Sequence, residues 1–538
     1  MAAPLTARPT APFGRRPLAL AALLAVVAVA AVAGPLIGWL PDRAHAADRE
    51  EVRILSGEPA TLDPAAQGDI GSAAISAQLF EGLTALDPSL TVRPALAASW
   101  DVAEGGRRIV FHLRNGLTFS DGSPLTAEDV VRSWLRIIDP AAPSPLASLL
   151  ADVEGAADRL AGKAGEDAVG VRASGRDVVV DLVRPAADFV SIVAGPTFAI
   201  VPPTFVRDRP VDPSGFVGSG AYVLTAVSPT ELTLTANAHY WAGAPPIPTV
   251  HLVTDIGGRS PVAAFEAGDL DYAPISSFDA SWIRYDATLG PALREVQSMS
   301  TEYLGFDTSR PPFDDPRVRR AFATAVDWGR VVRLATPDSA EPATSMVPPG
   351  IPGRSDERFL PAHDPDAARA DLAAAGFPAG AGFPHVTFVS GGSAYSEAIL
   401  ADLRRELGIT IDAETMDFDT YFRRLSDDPP QLWSMAWVAD YPGRNDFLGV
   451  LLGTGQSNNY GRWSNPEFDA AIAEARAATS EAAAMADYDR AEAIVAREAP
   501  VLPLAWGPGW ALSRDGLLGA GQNGLGILRL AGLAWAAR

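Results

Sequence analysis

The chain is 538 residues long, with 43 basic against 65 acidic side chains and a formal net charge of −22. It has no cysteine, which excludes disulfides, thiolate nucleophiles, Cys-ligated zinc, iron–sulfur clusters and lipid attachment at an export signal. The acidity argues against nucleic acid as a partner, and at about 100–200 residues per domain the length allows about three domains.

In chain order, the first feature is an address. Arg8, Arg15 and Arg16 precede an unbroken apolar run over 18–33, and Ala44-His45-Ala46 offers a small-x-small cleavage pattern. This predicts an export signal over residues 1–46. An uncleaved anchor is the alternative, because apolar residues continue through Leu36, Ile37, Trp39 and Leu40. No later segment approaches the ~18 consecutive apolar residues of a membrane span.

Residues 52–56 read as a strand. Residues 108–114 alternate and meet Asn115-Gly116, a hairpin signal. Thr126 with Asp129 three positions on forms a capping-box pattern. The helix that follows places Val130, Val131, Trp134, Ile137 and Ile138 on one face. Strands are expected over 177–183, 222–227 and 232–236. A strand at 251–254, a short helix at 261–266 and a strand at 271–275 predict a βαβ unit with parallel pairing.

From residue 313 helices and strands alternate. A helix is expected over 316–327. A second is bounded by Asp364-Pro365 and Gly376, with proline at its entry and glycine past its end. Then come a strand at 385–389, a helix at 394–407 stopped by Gly408, a strand at 409–413, a helix from Asp417 through Leu425, and a strand at 432–438. The series is the signature of a wound α/β domain. Two long amphipathic helices are expected at 466–477 and 481–497.

Enzyme constellations are missing from the sequence. There is no G-x-S-x-G and no H-E-x-x-H, and none of the six histidines has another at metal-ligand spacing. The single lysine, Lys163, lacks a phosphate-loop context. Gly519, Gly521 and Gly524 form a G-x-G-x-x-G only 14 residues from the C-terminus, with no room for a βαβ unit. No catalytic residue, metal site or cofactor is expected, and weight shifts to binding.

Several stretches do carry a resemblance. They are Glu58-Pro59 with Thr61-Leu62-Asp63-Pro64, LFEGLT from Leu79, PALAASW from Pro94, FHLRNGLTFSDGSPLTAEDVV from Phe111, and Gly218-Ser219-Gly220-Ala221-Tyr222. Further on come Asn237 through Trp241, FEAGDLDY from Phe265, PFDDPRVRRAFATAVD from Pro312, Asp440-Tyr441-Pro442, and APVLPL from Ala499. Together they resemble the extracytoplasmic solute-binding proteins of dipeptide, oligopeptide and nickel ABC importers (solute-binding protein family 5). The resemblance spans about residues 50–530.

It implies an α/β fold: a two-lobed periplasmic-binding-protein clamshell with an extra β-rich inserted domain. The first lobe is expected from 47–84, 201–300 and 506–538, the insert from 85–200, and the second lobe from 301–505. Hinge crossings are expected near 298–305 and 500–510. The implied partners are a small peptide or related zwitterion and the permease subunits of an ABC importer, with the receptor a monomer. A metal chelate, sugar or opine is the alternative solute, and an exported hydrolase or chaperone a further reading.

The most informative segment is 432–442. As a strand it places Trp433, Met435 and Trp437 on one face, and it delivers Asp440 just past its carboxyl end, where open α/β sheets bind ligands. The resemblance implies that Asp440 pairs with a ligand α-ammonium, with Trp437, Tyr441 and Trp433 as neighbours. On the plainer alternative Asp440 caps a turn before Pro442 and the tryptophans are core. Arg444 stands where many relatives carry an acid, and it could fork a ligand carboxylate or be a surface arginine.

Overall fold

The computed structural model describes residues 49–537 apart from 187, 208–211, 297, 337–338 and 479–480. The expected export signal lies outside the described residues. Among those described, no helix is long and apolar enough to cross a membrane.

A seven-stranded sheet runs, edge to edge, through Leu293–Val296, Gly509–Ser513, Tyr272–Ile275, Glu51–Leu55, Thr249–Val253, Glu231–Ala236 and Tyr222–Val227. The expected βαβ unit forms, with Ser260 capping the helix Pro261–Glu266 through the Ala263 amide. Its two strands are not neighbours, however. The strand Glu51–Leu55 lies between them, parallel to both. Tyr272 and Ala273 are adjacent in sequence, so they point to opposite faces, and they enter two separate apolar clusters. Both faces of this sheet are therefore covered.

A four-stranded antiparallel sheet joins Ala97–Ala103, Arg108–Leu113, Asp177–Asp181 and Val171–Ser174. Thr126 and Asp129 form the expected capping box at the start of Ala127–Leu135. That helix drives Trp134 edge-on into Phe111, Phe189 and Phe198, at ring distances of 6.2, 6.2 and 5.5 Å. The hairpin expected at Asn115-Gly116 does not form. Arg108–Leu113 pairs instead with the strand before it and with the distant Asp177–Asp181. The turn leads only to an isolated bridge between Thr118 and Pro124, where proline removes a ladder donor.

The six-stranded sheet has the order Glu341–Pro342, Val501–Trp506, Ser300–Phe306, Leu432–Val438, Thr387–Ser390, Asp412–Thr415. The last three strands are parallel, as a wound domain requires, and the others pair antiparallel. The strand expected at 409–413 is displaced to Asp412–Thr415. The helix expected over 316–327 is two helices, Pro316–Ala325 and Trp328–Ala335. Asp327 separates them because its carboxylate accepts from the Arg330 amide at 3.0 Å, a cap that competes with helix continuation. The chain passes between the two large sheets twice, from Leu293–Val296 into Ser300–Phe306 and from Val501–Trp506 into Gly509–Ser513.

One close approach sets the interior of the six-stranded sheet. Gly305 and Trp433 are register partners, and a Cβ at Gly305 would sit 2.2 Å from the Trp433 ring. Gly305→Ala is therefore expected to destabilise the protein by about 1–3 kcal/mol through overpacking. Urea melts should show the midpoint shift, and an unshifted midpoint would mean that the indole moves aside freely.

Candidate ligand-binding site

The site is built on the strand Leu432–Val438. One edge pairs with Ser300–Phe306 along its whole length. The other edge pairs with Thr387–Ser390 only through Leu432, Trp433 and Ser434. The Ala439 amide donates to the Met299 carbonyl at 2.9 Å. Alternation along the strand then turns the N–H and C=O of Ala436 and Val438 away from Ser300–Phe306. Beyond Ser434 that edge has no strand partner among the described residues, and Ala436 is exposed. A strand edge left open in this way is a template for another extended chain.

Asp440 stands at the end of this edge. Its residue surface is half-buried, but Oδ2 is sealed and has no hydrogen-bond partner among the described residues. Burial alone raises its carboxyl to about 7. The Asp440 amide is held by Asp446, whose Oδ2 accepts from it at 2.9 Å and from Trp437 Nε1 at 3.0 Å. Asp446 is fully buried and its Oδ1 is also unpartnered. Burial, then the neighbouring Asp440 charge, push its carboxyl well above the usual range. Two carboxyls in one dry seat cannot both ionise cheaply.

Tyr460, from the loop before Pro466–Ala477, feels the Asp440 charge. Burial first, with Asp440 adding to it, raises its hydroxyl to about 12. Tyr460 also influences Tyr303 and Tyr421, so three tyrosines crowd this side of the sheet. Among the described residues there is no cluster of His, Asp and Glu fit to hold a metal ion.

The other expected residues fall in different places. Trp437 borders Asp440 through their shared bond partner Asp446. Trp433 lies inside the six-stranded unit, 1% exposed, packed with Val389, Tyr421 and Leu425. Tyr441 is also fully buried, with its hydroxyl accepting from Asn445 Nδ2 at 2.9 Å. Arg444 is neither free nor on the surface. Its Nη2 meets Asp489 at 2.7 Å and Glu492 at 2.5 Å, and its Nη1 meets the Gly353 and Met485 carbonyls. The expectation of a fork open to a ligand carboxylate is corrected: this guanidinium pins the helix Glu481–Glu498 inside its own lobe. Tyr460 and the open edge were missed in the sequence. The edge had a readable cause, since the expected strand at 385–389 is shorter than the one it flanks.

The six-stranded unit and the unit around the four-stranded sheet touch across the site. A Cβ on Gly195, beside the four-stranded sheet, would lie 3.6 Å from the Asp440 carbonyl. Next to Gly195 is a recess of about 420 Å³, open solvent included, lined by Glu81, Gly82, Asn523 and Arg529 among others. Ser457 donates to the Pro145 carbonyl at 2.8 Å. Arg476 pairs with Asp152 at 2.5 Å, and Arg184 holds the same carboxylate from its own side. Asp188 and Tyr441 also feel one another across the seam. One continuous apolar cluster includes Trp134 and Phe189 on one side and Trp437, Tyr441 and Phe447 on the other. This is a shut arrangement.

Comparison with known proteins agrees with the geometry. Residues 91–459 match the family described as bacterial extracellular solute-binding proteins, family 5 middle. The probable deoxycholate-binding periplasmic protein YgiS of Escherichia coli K12 is 32% identical, over 84% of this chain and 86% of its own. The periplasmic murein peptide-binding protein MppA of the same organism is 28% identical, over 86% and 89%. A solved structure of MppA superposes with a TM-score of 0.84 at 26% identity, covering 92% of this chain and all of that one. Its unliganded open form, covering 91% and 98%, reaches only 0.67. The sequence compared is the same, so the gap reflects lobe arrangement, and the present chain has the more closed one.

Two outcomes follow. A carboxyl whose folded pKa is raised holds a proton that unfolding releases. Its stabilising contribution is full below the unfolded value near ~4 and is lost as pH rises through the folded value. The free protein should therefore lose stability between about pH 4 and 8. Asp446→Asn, which keeps an acceptor for the Asp440 amide and Trp437, should flatten that loss; equal slopes in urea melts across pH would contradict the buried pair. Arg476→Met removes the cross-lobe ion pair while Arg184 still neutralises Asp152. It should weaken ligand affinity about tenfold without touching the ligand, with a larger radius of gyration by small-angle scattering in the free state.

Proposed function

We propose that this chain, which belongs to family 5 of the bacterial extracellular solute-binding proteins, is the receptor of an ABC importer that captures peptides by their amino terminus. The observation that carries this reading is the sealed, unpartnered Oδ2 of Asp440 at the end of an open strand edge. An α-ammonium entering there supplies the charge that lets Asp440 ionise. Without such a partner a buried carboxylate is costly. The peptide backbone then pairs with the N–H and C=O of Ala436 and Val438. Main-chain pairing gives affinity with little regard to side chains.

Closure follows from contacts on both sides. A ligand that touches the Asp440 side and the Gly195 side favours the shut state, which the permease reads. We place the hinge at residues 298–299 and 507–508, between the strands that leave one sheet and enter the other. The first lobe then takes 47–84, 201–299 and 507–538, the insert 85–200, and the second lobe 300–506. The receptor binds its guest and releases it unaltered. It is exported by its first 46 residues, works as a monomer, and without cysteine carries no lipid anchor.

The likeness to YgiS favours a second reading, an amphipathic carboxylate held against Trp437, Met435 and Tyr460. Such a ligand would meet Asp440 only in its protonated form. The peptide reading uses both the carboxylate and the free edge, and is preferred for that reason.

Asp440→Asn should weaken tripeptide binding by about 3–5 kcal/mol, the loss on removing one member of a buried ion pair. Near pH 6, wild-type binding should also release protons as the ammonium ionises Asp440. Titration calorimetry in buffers of different ionisation heat reads both effects. Unchanged affinity, or a heat independent of buffer in the wild type, would refute the assignment.

A further inference from the structure

A second carboxylate lies one strand behind the open edge. Glu302 belongs to Ser300–Phe306, where its register partners are Ala436 on one side and Ala505 on the other. Register partners in an antiparallel pair present their side chains to the same face. Glu302 therefore shares a face with the exposed Ala436, flanked on both sides by single methyl groups. The pairing with Val501–Trp506 slips between Glu302 and Tyr303, a bulge of the kind that re-aims a side chain beside a site. The residue is half-buried, and no hydrogen bond or ion pair reaches its carboxylate among the described residues. The Tyr395 hydroxyl feels its charge. Burial raises the Glu302 carboxyl to about 7.

The edge of Leu432–Val438 recognises backbone, so side-chain preference has to come from groups placed beyond it. A peptide strand on that edge lies about 4.8 Å from Ala436 and two spacings, about 10 Å, from the Glu302 backbone. A four-carbon ammonium stem and the two-carbon arm of a glutamate together span that distance, and the methyl of Ala436 leaves the path clear. We propose that Glu302 is a selectivity carboxylate, drawing a cationic side chain of the bound peptide across Ala436 and so favouring lysine- or arginine-containing ligands. With the ammonium at Asp440, the peptide runs back toward Ala436, which places the selected residue among the first three. This inference rests on the peptide reading above and deepens it.

The test uses the exported-length protein and tripeptides of alanine in which lysine, norleucine or glutamate replaces each position in turn, titrated at about pH 8. At one position lysine should be favoured over norleucine about tenfold, the scale of a hydrogen bond to a charged group, with glutamate weaker than both. In Glu302→Gln the lysine and norleucine peptides should converge while trialanine affinity and melting temperature stay the same or rise. Ala436→Leu, which closes the path from the exposed side, should abolish the lysine preference as well. Equal binding of lysine and norleucine peptides at every position, or a lysine preference that survives Glu302→Gln, overturns the role of Glu302 and leaves the peptide reading standing. If no tripeptide binds the wild type, the peptide reading falls and the selectivity carboxylate falls with it.

Discussion

An ionised carboxylate that is sealed from water and unpaired is too costly to persist. On the proposed reading, the ammonium of a guest resolves this at Asp440. Its own amide is taken by Asp446, its Oδ2 has no partner, and the same Asp446 is bound to the indole of Trp437. The acid is thus fixed in position before any ligand arrives, and burial favours its protonated form in the meantime. Charge, position and the half-paired strand edge converge on one spot. On that reading binding, loss of a proton and closure are different faces of a single event.

Closure is not driven by the guest alone. The apolar cluster that joins Trp134 and Phe189 to Trp437 and Tyr441 spans both sides of the seam. The Arg476–Asp152 pair adds a polar contact that exists only when the lobes meet. Asp152 stays neutralised by Arg184 on its own side when they part, so opening does not strand a buried charge. Parting therefore costs the Arg476 contact but leaves Asp152 paired. The better superposition on one MppA structure than on its open form fits this picture.

Much of the fold was legible because its causes are local. The strand at 432–438, the capping box at Thr126, the proline entry at Pro365 and the glycine stops at Gly376 and Gly408 are written within a few residues of where they act. The position of Asp440 just past a strand end was legible for the same reason, since strand pattern and chain exit lie side by side. What could not be read depends on partners far away in sequence. Arg444 finds its acids 45 and 48 positions later on Glu481–Glu498. Trp433 is core because Gly305, on another strand, makes room for it. Glu302 and Tyr460 gain meaning only once sheet register and loop position are known. Asp327 was misread as a helix residue, although an aspartate directly after Ala325-Val326 is a capping signal in its own right.

The strand order has a consequence for how the molecule comes to exist. All six strands of the Asp440-bearing sheet come from one uninterrupted stretch, Ser300 to Trp506. The seven-stranded sheet instead needs both ends of the chain. Gly509–Ser513 fills the slot between Leu293–Val296 and Tyr272–Ile275, and Trp535 Nε1 donates to the Glu51 carbonyl at 3.1 Å. Until Gly509–Ser513 and Trp535 have been made, that sheet has a missing slat and its earliest strand lacks its cover. The sheet whose first strand is made earliest therefore closes after the sheet whose strands all lie between Ser300 and Trp506.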